Sequence, residues 1–206
     1  MNNVALILAA GEHRRWKGSI PKQLVDIGEI PLIVRTIRQV QALDVPVVVV
    51  THQPEITRTV NGVGGATVYV PAARRFTVET LLHTKALWAT QTIILLGDVL
   101  YSAESLEKLT EAPERLTVIK NSTDLLALTW TRAQNPLVEL ALTRAIQASE
   151  KGLTGGRLFG FLGIYRAENP TKIVHLADPL LRDFDHLQDY EMFLKVYGHT
   201  FNESGE

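Results

Sequence analysis

The chain has 206 residues, 46% of them hydrophobic, and a formal net charge of -1. That is enough apolar material for one sizeable core, and the near-neutral balance excludes the broad basic footprint of a general nucleic-acid binder. No apolar run approaches the roughly 20 residues of a membrane span. No basic segment precedes the first apolar stretch, so no signal peptide is expected. The sequence contains no Cys, which removes disulfides, thiolate metal sites and a Cys nucleophile, and the expected compartment is the cytoplasm.

Taken in chain order, short β-branched runs alternate with amphipathic stretches. Residues 4–9, 45–50, 66–70 and 92–96 read as buried strands, and their near-continuous apolar character suits a parallel sheet covered on both faces. Residues 32–43 and 78–89 read as helices; in the second, Val78, Leu81, Leu82, Leu87 and Trp88 supply an apolar stripe. Residues 102–111 form a third helix, with Ser102 as N-cap and Glu104 near the positive end of its dipole. Residues 116–121 and 125–131 are strands separated by a short polar turn, hence an antiparallel pair. A helix over 137–149 follows Pro136. Residues 157–167 read as a further strand, and 186–198 as a helix with Leu187, Tyr190, Phe193 and Leu194 on one face. This order predicts an α/β fold, with one domain over 1–200 and a frayed polar tail over 201–206.

The loop after the first strand concentrates positive charge. Ala9, Ala10 and Gly11 are small enough for a ligand to approach the backbone, and Gly11 could take a conformation closed to other residues. Arg14, Arg15, Lys17 and Lys22 follow, against one negative charge on Glu12. At the carboxyl end of a parallel strand, backbone N–H groups with Arg and Lys suit a polyphosphate. On composition alone, a solvated basic turn accounts for the loop equally well. A Walker A loop is absent, because Gly18 follows Lys17, and G-x-G-x-x-G is absent, because His13 stands at its second Gly.

Leu8-Ala9-Ala10-Gly11, Arg15 four residues on, Pro21-Lys22 with Leu24, and then Pro31-Leu32-Ile33 resemble the signature loop of the sugar-phosphate nucleotidyltransferase superfamily. Its members include cytidylyl-, uridylyl- and guanylyltransferases acting on sugar phosphates, methylerythritol phosphate and molybdopterin. The resemblance implies a three-layer, Rossmann-like (GT-A-like) fold with a mixed, mostly parallel sheet. It also implies that Leu8 to Gly11 wrap a triphosphate while Arg15 and Lys22 stabilise phosphate charge. His13 and Glu29 depart from the pattern, each standing where a small residue or Gly is usual.

Two aspartates complete the pattern. Asp98 follows a buried strand, at the functional edge of an open sheet. It could cap a helix, but Ser102 is the better cap, and the resemblance favours a metal ligand. Asp185 matches the second metal position in a stretch similar to the family's C-terminal D-x-D, with His186-Leu187 in place of Thr-Pro and Asp189 opening the final helix. Asp183 and Asp185 alternate along an extended segment, so one of them is expected to face the site. Arg74, Thr77 and Val78 resemble the nucleotide-side segment of methylerythritol-phosphate cytidylyltransferases, although helix capping alone would explain Thr77. His52, His83, His175 and His199 show no metal-ligand spacing.

The expected activity is transfer of NMP from an NTP, CTP or UTP favoured, to a sugar or polyol phosphate with Mg²⁺, releasing pyrophosphate. A molybdopterin guanylyltransferase-like enzyme and a degenerate nucleotide-sensing domain are the alternatives. The acceptor pocket is expected within 125–165. No nucleic acid or membrane partner is implied, and a homodimer is compatible with the sequence.

Overall fold

The computed structural model describes residues 3–11, 15–121, 124–178 and 180–203, so the readings attached to Glu12, His13 and Arg14 lie outside the described residues. In chain order the elements are β1 (Asn3–Leu8), β2 (Asp26–Ile27), β3 (Ile30–Pro31), α1 (Leu32–Gln41), β4 (Val47–Val50), α2 (Pro54–Val63) and β5 (Ala66–Tyr69). Then come α3 (Thr77–His83), β6 (Gln91–Leu96), β7 (Val99–Leu100), α4 (Ala103–Thr110), β8 (Leu116–Lys120), β9 (Leu125–Thr131) and α5 (Asn135–Glu150). The chain continues with α6 (Leu158–Glu168), β10 (Thr171–His175), β11 (Arg182–Asp183) and α7 (Leu187–Glu203).

The β-branched runs pair into a seven-stranded sheet of order β10-β8-β9-β6-β1-β4-β5. All neighbours are parallel except β9, which runs against both β6 and β8. β1 lies between β6 and β4, with Leu8 opposite both Leu96 and Val50, so its loop leaves from the middle of the sheet's carboxyl edge. The two-residue period of β1 divides the core. Ala5 and Ile7 pack with Ile33 and Ile37 of α1, Ile56 of α2 and Leu106 of α4. Val4, Leu6 and Leu8 pack on the other face with Leu81 of α3, Leu142 of α5 and Phe161 of α6. Each fully buried side chain of this kind contributes roughly 1.5–3 kcal/mol. The three layers and the mixed, mostly parallel sheet are as expected.

A third apolar cluster joins distant parts of the chain. Trp16, Val25, Ile27 and Leu32 meet Leu100, Phe184 and Phe193, and Leu187, Tyr190 and Leu194 of α7 pack against them. β7 and β11 pair antiparallel, Asp183 opposite Val99 and Arg182 opposite Leu100.

Several expectations need correction. The strand expected over 157–167 is not one: Arg157 is the N-cap of α6 and 158–167 lie in that helix, with Leu158, Phe161, Leu162 and Tyr165, spaced i, i+3, i+4, i+7, as its buried side. α2 and β10 were not anticipated. The helix expected over 78–89 stops at His83, where the Thr84 hydroxyl donates to the Leu81 carbonyl at 2.7 Å, and a 3-10 turn continues to Leu87. Thr77 is not a cap, since the cap position is Phe76 and its side chain has nothing to offer the helix. Ser102 does cap α4, its hydroxyl accepting from the Ser105 amide at 3.3 Å. Helix α7 runs to Glu203, into the segment expected to fray. Among the described residues no helix is long and apolar enough to cross a membrane.

Candidate active site

The loop after β1 is held from beneath. The Ala9 amide donates to the Val50 carbonyl and the Thr51 hydroxyl to the Ala9 carbonyl, both at 2.9 Å, while the Gln53 amide side chain donates to the Gly11 carbonyl at 3.2 Å. Gly11 is not in the left-handed region, contrary to one reading of the sequence. A Cβ there would meet nothing within 4 Å, so the protein's own packing does not demand glycine and the space beside it is open. Gly97 is different: a Cβ would lie 3.1 Å from both the Leu8 carbonyl oxygen and the Ala9 Cβ. This glycine lets the end of β6 close onto the loop, and its amide donates to the Leu8 carbonyl at 2.9 Å.

Lys22 lies in a short 3-10 turn and is almost buried at 8% exposure. Its ammonium is ion-paired to Asp98, and Asp185 and Asp183 stand 3.5 and 3.8 Å away. Burial alone would lower its pKa, but the surrounding carboxylates, Asp98 foremost, outweigh that and hold it above the ordinary value. Arg15 sits on the outer side of the cluster, bound to both oxygens of Asp185.

The expectation that only one of Asp183 and Asp185 faces the site is wrong. Both reach Lys22, because the β7–β11 ladder is two residues long and the Phe184 amide then donates to the Asp98 carbonyl at 3.3 Å, tying the segment across Asp98. Asp183 is the anomalous carboxyl. One of its oxygens is buried without a hydrogen-bond partner, and burial, with the neighbouring Asp98 charge next in size, pushes its pKa up to about 8.

These groups line one cleft of about 830 Å³, which also takes in Leu8, Ala10 and Gly11 and, across from Lys22 in sequence, Arg74 and Thr77. The structure thus brings Arg15, Lys22, Asp98, Asp185, Arg74, Thr77 and the loop to a single cavity. Ala9 is buried beneath it, 1% exposed, and supports the loop. Sequence reasoning missed Asp183, Gln23 and Asp124, which line the same cleft, and named neither Arg157 nor Phe159, although both lie in the stretch 125–165 from which an acceptor pocket was expected. Gln23 had a signal, standing inside the matched Pro-Lys-Gln-Leu stretch.

Among the described residues no set of three or more acidic or His side chains is arranged to hold a metal. The carboxylates are gathered on Lys22 instead. Two of them, Asp98 and Asp185, with oxygens from a bound phosphate, fit the donor set by which Mg²⁺ is held in phosphoryl transfer, and the orphaned Asp183 oxygen shows spare acceptor capacity beside them.

A mixed, mostly parallel sheet with a cationic loop and convergent aspartates at its carboxyl edge defines an α/β protein with one charged cleft. The family model described as MobA-like NTP transferase domain matches residues 5–161, and the chain belongs to that family. No curated protein matches it. Among solved structures, CTP:phosphocholine cytidylyltransferase from Streptococcus pneumoniae superposes with a TM-score of 0.73 at 16% identity, covering 95% of this chain and 99% of that one. The inositol-1-phosphate CTP transferase from T. maritima gives 0.70 at 14% identity, covering 99% and 97%. CMP:2-keto-3-deoxy-manno-octonic acid synthetase, complexed with CTP, gives 0.70 at 14%, covering 97% and 100%. At these identities the neighbours establish the fold.

Proposed function

We propose that this chain is a Mg²⁺-dependent nucleotidyltransferase that moves NMP from an NTP to a phosphorylated small molecule, a sugar or polyol phosphate, and releases pyrophosphate. The observation that carries this reading is the ion network of Arg15 and Lys22 with Asp98, Asp183 and Asp185, set against the β1 loop within one cleft. It holds both the cations a triphosphate needs and the carboxylates a divalent ion needs.

A phosphate oxygen of the acceptor attacks the α-phosphorus; the bond from that phosphorus to the bridging oxygen breaks, and pyrophosphate leaves with the electron pair. No protein nucleophile is required, so the residues act by alignment and charge stabilisation. Arg15, with a planar fork that already grips a carboxylate at both oxygens, holds the triphosphate. Lys22, nearly buried and so acting in a low-dielectric setting, offsets the charge that develops as pyrophosphate departs. The amides of Ala10 and Gly11 line the approach. Asp98 and Asp185 hold Mg²⁺, which when bound supplies Lewis-acid polarisation of the phosphate.

Arg74 and Thr77 in the cleft, and the CTP named for the S. pneumoniae and T. maritima neighbours, support a pyrimidine nucleotide. The MobA-like family match supports a second reading, guanylyl transfer onto molybdopterin. The test is pyrophosphate release with Mg²⁺ over four NTPs and a panel of phosphorylated acceptors that includes molybdopterin. Release with CTP or UTP and a sugar or polyol phosphate is expected. Release with GTP and molybdopterin alone selects the second reading, and nucleotide binding without release over the whole panel identifies a nucleotide-sensing domain.

A further inference from the structure

Five cations line the cleft among the described residues, and three are already committed. Arg15 and Lys22 are held by the aspartates, and Arg75 is held by Glu79 and Glu150, its guanidinium 2.6 and 3.0 Å from their carboxylates. Arg74 and Arg157 line the cleft with no hydrogen bond or ion pair from their guanidinium groups to a described residue. Arg74 belongs to the segment read as lying along the nucleotide. Arg157 is left over, an exposed cation at the cleft wall.

Its placement is built. Gly156, at φ +68, packs so tightly on Phe76 that a Cβ would come within 2.3 Å of the ring, and its carbonyl accepts from the Val78 amide at 3.2 Å. This ties the Gly155–Arg157 loop to the start of α3. Two residues on, Phe159 also lines the cleft and is 45% exposed, the one exposed Phe, Tyr or Trp among the described residues. The Lys120 ammonium lies 5.4 Å from its ring centroid. An aromatic ring left open beside a ligand cavity is an apolar platform, and a cation poised on it changes what the platform accepts. A ligand ammonium would compete with Lys120 for the ring and meet two like charges. A ligand with an anionic group and a hydroxylated or ring-shaped body would meet charge-assisted hydrogen bonds from Arg157 and an apolar surface.

We propose that Arg157, Phe159 and Lys120 form the acceptor subsite and select a phosphate ester whose hydroxylated body is uncharged or anionic over one bearing a quaternary ammonium. The inference rests on the transferase reading but is tested apart from it, by binding. Ribitol 5-phosphate, glucose 1-phosphate and phosphocholine are titrated calorimetrically, with and without Mg²⁺ and a CTP analogue carrying a non-cleavable α,β-methylene bridge. The wild type binds at least one of the first two esters about tenfold or more tightly than phosphocholine. Arg157→Ala and Phe159→Ala weaken that ester by about tenfold, Arg157→Lys restores part of the loss, and Lys120→Gln narrows the gap to phosphocholine. Equal or tighter binding of phosphocholine, unchanged affinity in Arg157→Ala, or no measurable binding of either sugar or polyol ester overturns the subsite. Arg157-dependent binding with no pyrophosphate release for any ester overturns the transferase reading and leaves the subsite standing. Release that Arg157→Ala leaves unchanged does the reverse.

Discussion

Arg15 grips Asp185 through two parallel contacts, Nη1 to Oδ2 at 2.6 Å and Nη2 to Oδ1 at 2.8 Å, joining residues 170 positions apart. With Lys22 on Asp98, the groups proposed for phosphate and the groups proposed for metal neutralise one another in the free protein. Substrate binding on this reading is a partner exchange: phosphates take the place of carboxylates on Lys22 and Arg15, and Asp98 and Asp185, so released, would be able to hold Mg²⁺.

Asp98→Asn and Asp185→Asn are expected to nearly abolish turnover and keep the fold, since an amide preserves side-chain shape but binds Mg²⁺ poorly. The Arg15–Asp185 pair is 51% and 31% exposed, so its loss costs at most about 1 kcal/mol of stability. Steady-state kcat and a urea midpoint check both halves; near wild-type turnover in Asp98→Asn removes the metal assignment.

Lys22→Ala is expected to lower kcat by about 10² to 10³, equivalent to roughly 2–4 kcal/mol of transition-state stabilisation. It also strands carboxylates in a partly buried site, so stability falls too, by about 3 kcal/mol. Arg15→Ala weakens NTP binding as well as turnover. Lys17 is exposed and pairs with none of the aspartates, and Lys17→Ala is expected to be silent. Equal damage from Lys17→Ala and Lys22→Ala would show a diffuse electrostatic patch in place of positioned groups.

Asp183 gives a pH signature. Its folded-state pKa of about 8 lies above the ordinary value of 3.8, so between those values the folded protein binds a proton that the unfolded chain does not. Stability from this group is full below about pH 4 and is lost as pH rises towards 8. Asp183→Asn is therefore expected to raise Tm more at pH 8.5 than at pH 5, with a smaller loss of activity than Asp185→Asn. Thermal melts of the two proteins at both pH values decide it, and a Tm gain that is the same at both would be contrary.

Glu29 follows Gly28 in the β2–β3 turn, at φ 62 and 59, both left-handed. A non-glycine residue there costs roughly 1–2 kcal/mol, against roughly 0.5–1 kcal/mol of extra chain entropy that a glycine loses on folding. Glu29→Gly is expected to raise stability by about 0.5 kcal/mol, read from the denaturant midpoint at unchanged slope, and any fall would show that the Glu29 side chain has a stabilising partner.

The central strands, the cationic loop and the aspartates were legible because each carries its own signal: an apolar β-branched run, a charge burst after small residues, and a carboxylate just past a strand. α6 was misread because Phe, Ile and Tyr favour strands, although Leu158, Phe161, Leu162 and Tyr165 already carried helical spacing. α2 was missed despite Pro54 and Glu55 in its first turn, because Ile56 and Val60 are its only fully buried residues and leave a thin stripe. Asp183 was set aside on strand alternation, which two paired residues are too few to enforce. Arg157 and Phe159 enter the cleft through the tie between Gly156 and Val78, a tertiary contact no local pattern announces.

The packing of α7 on the β2–β3 turn, where Phe201 lies against Gly28 and the Arg35 guanidinium stands 5.0 Å from its ring, has a consequence for biosynthesis. A ribosome delivers the central strands and Lys22 early, at about 5–20 residues per second, and Asp183 and Asp185 much later. Through that interval a nascent chain can pair β1 with β4 and β6 while Lys22 has Asp98 as its sole partner among these three aspartates. The cleft gains Asp183 and Asp185 only after β11 has left the exit tunnel, and α7, which follows it, packs back over residues made first.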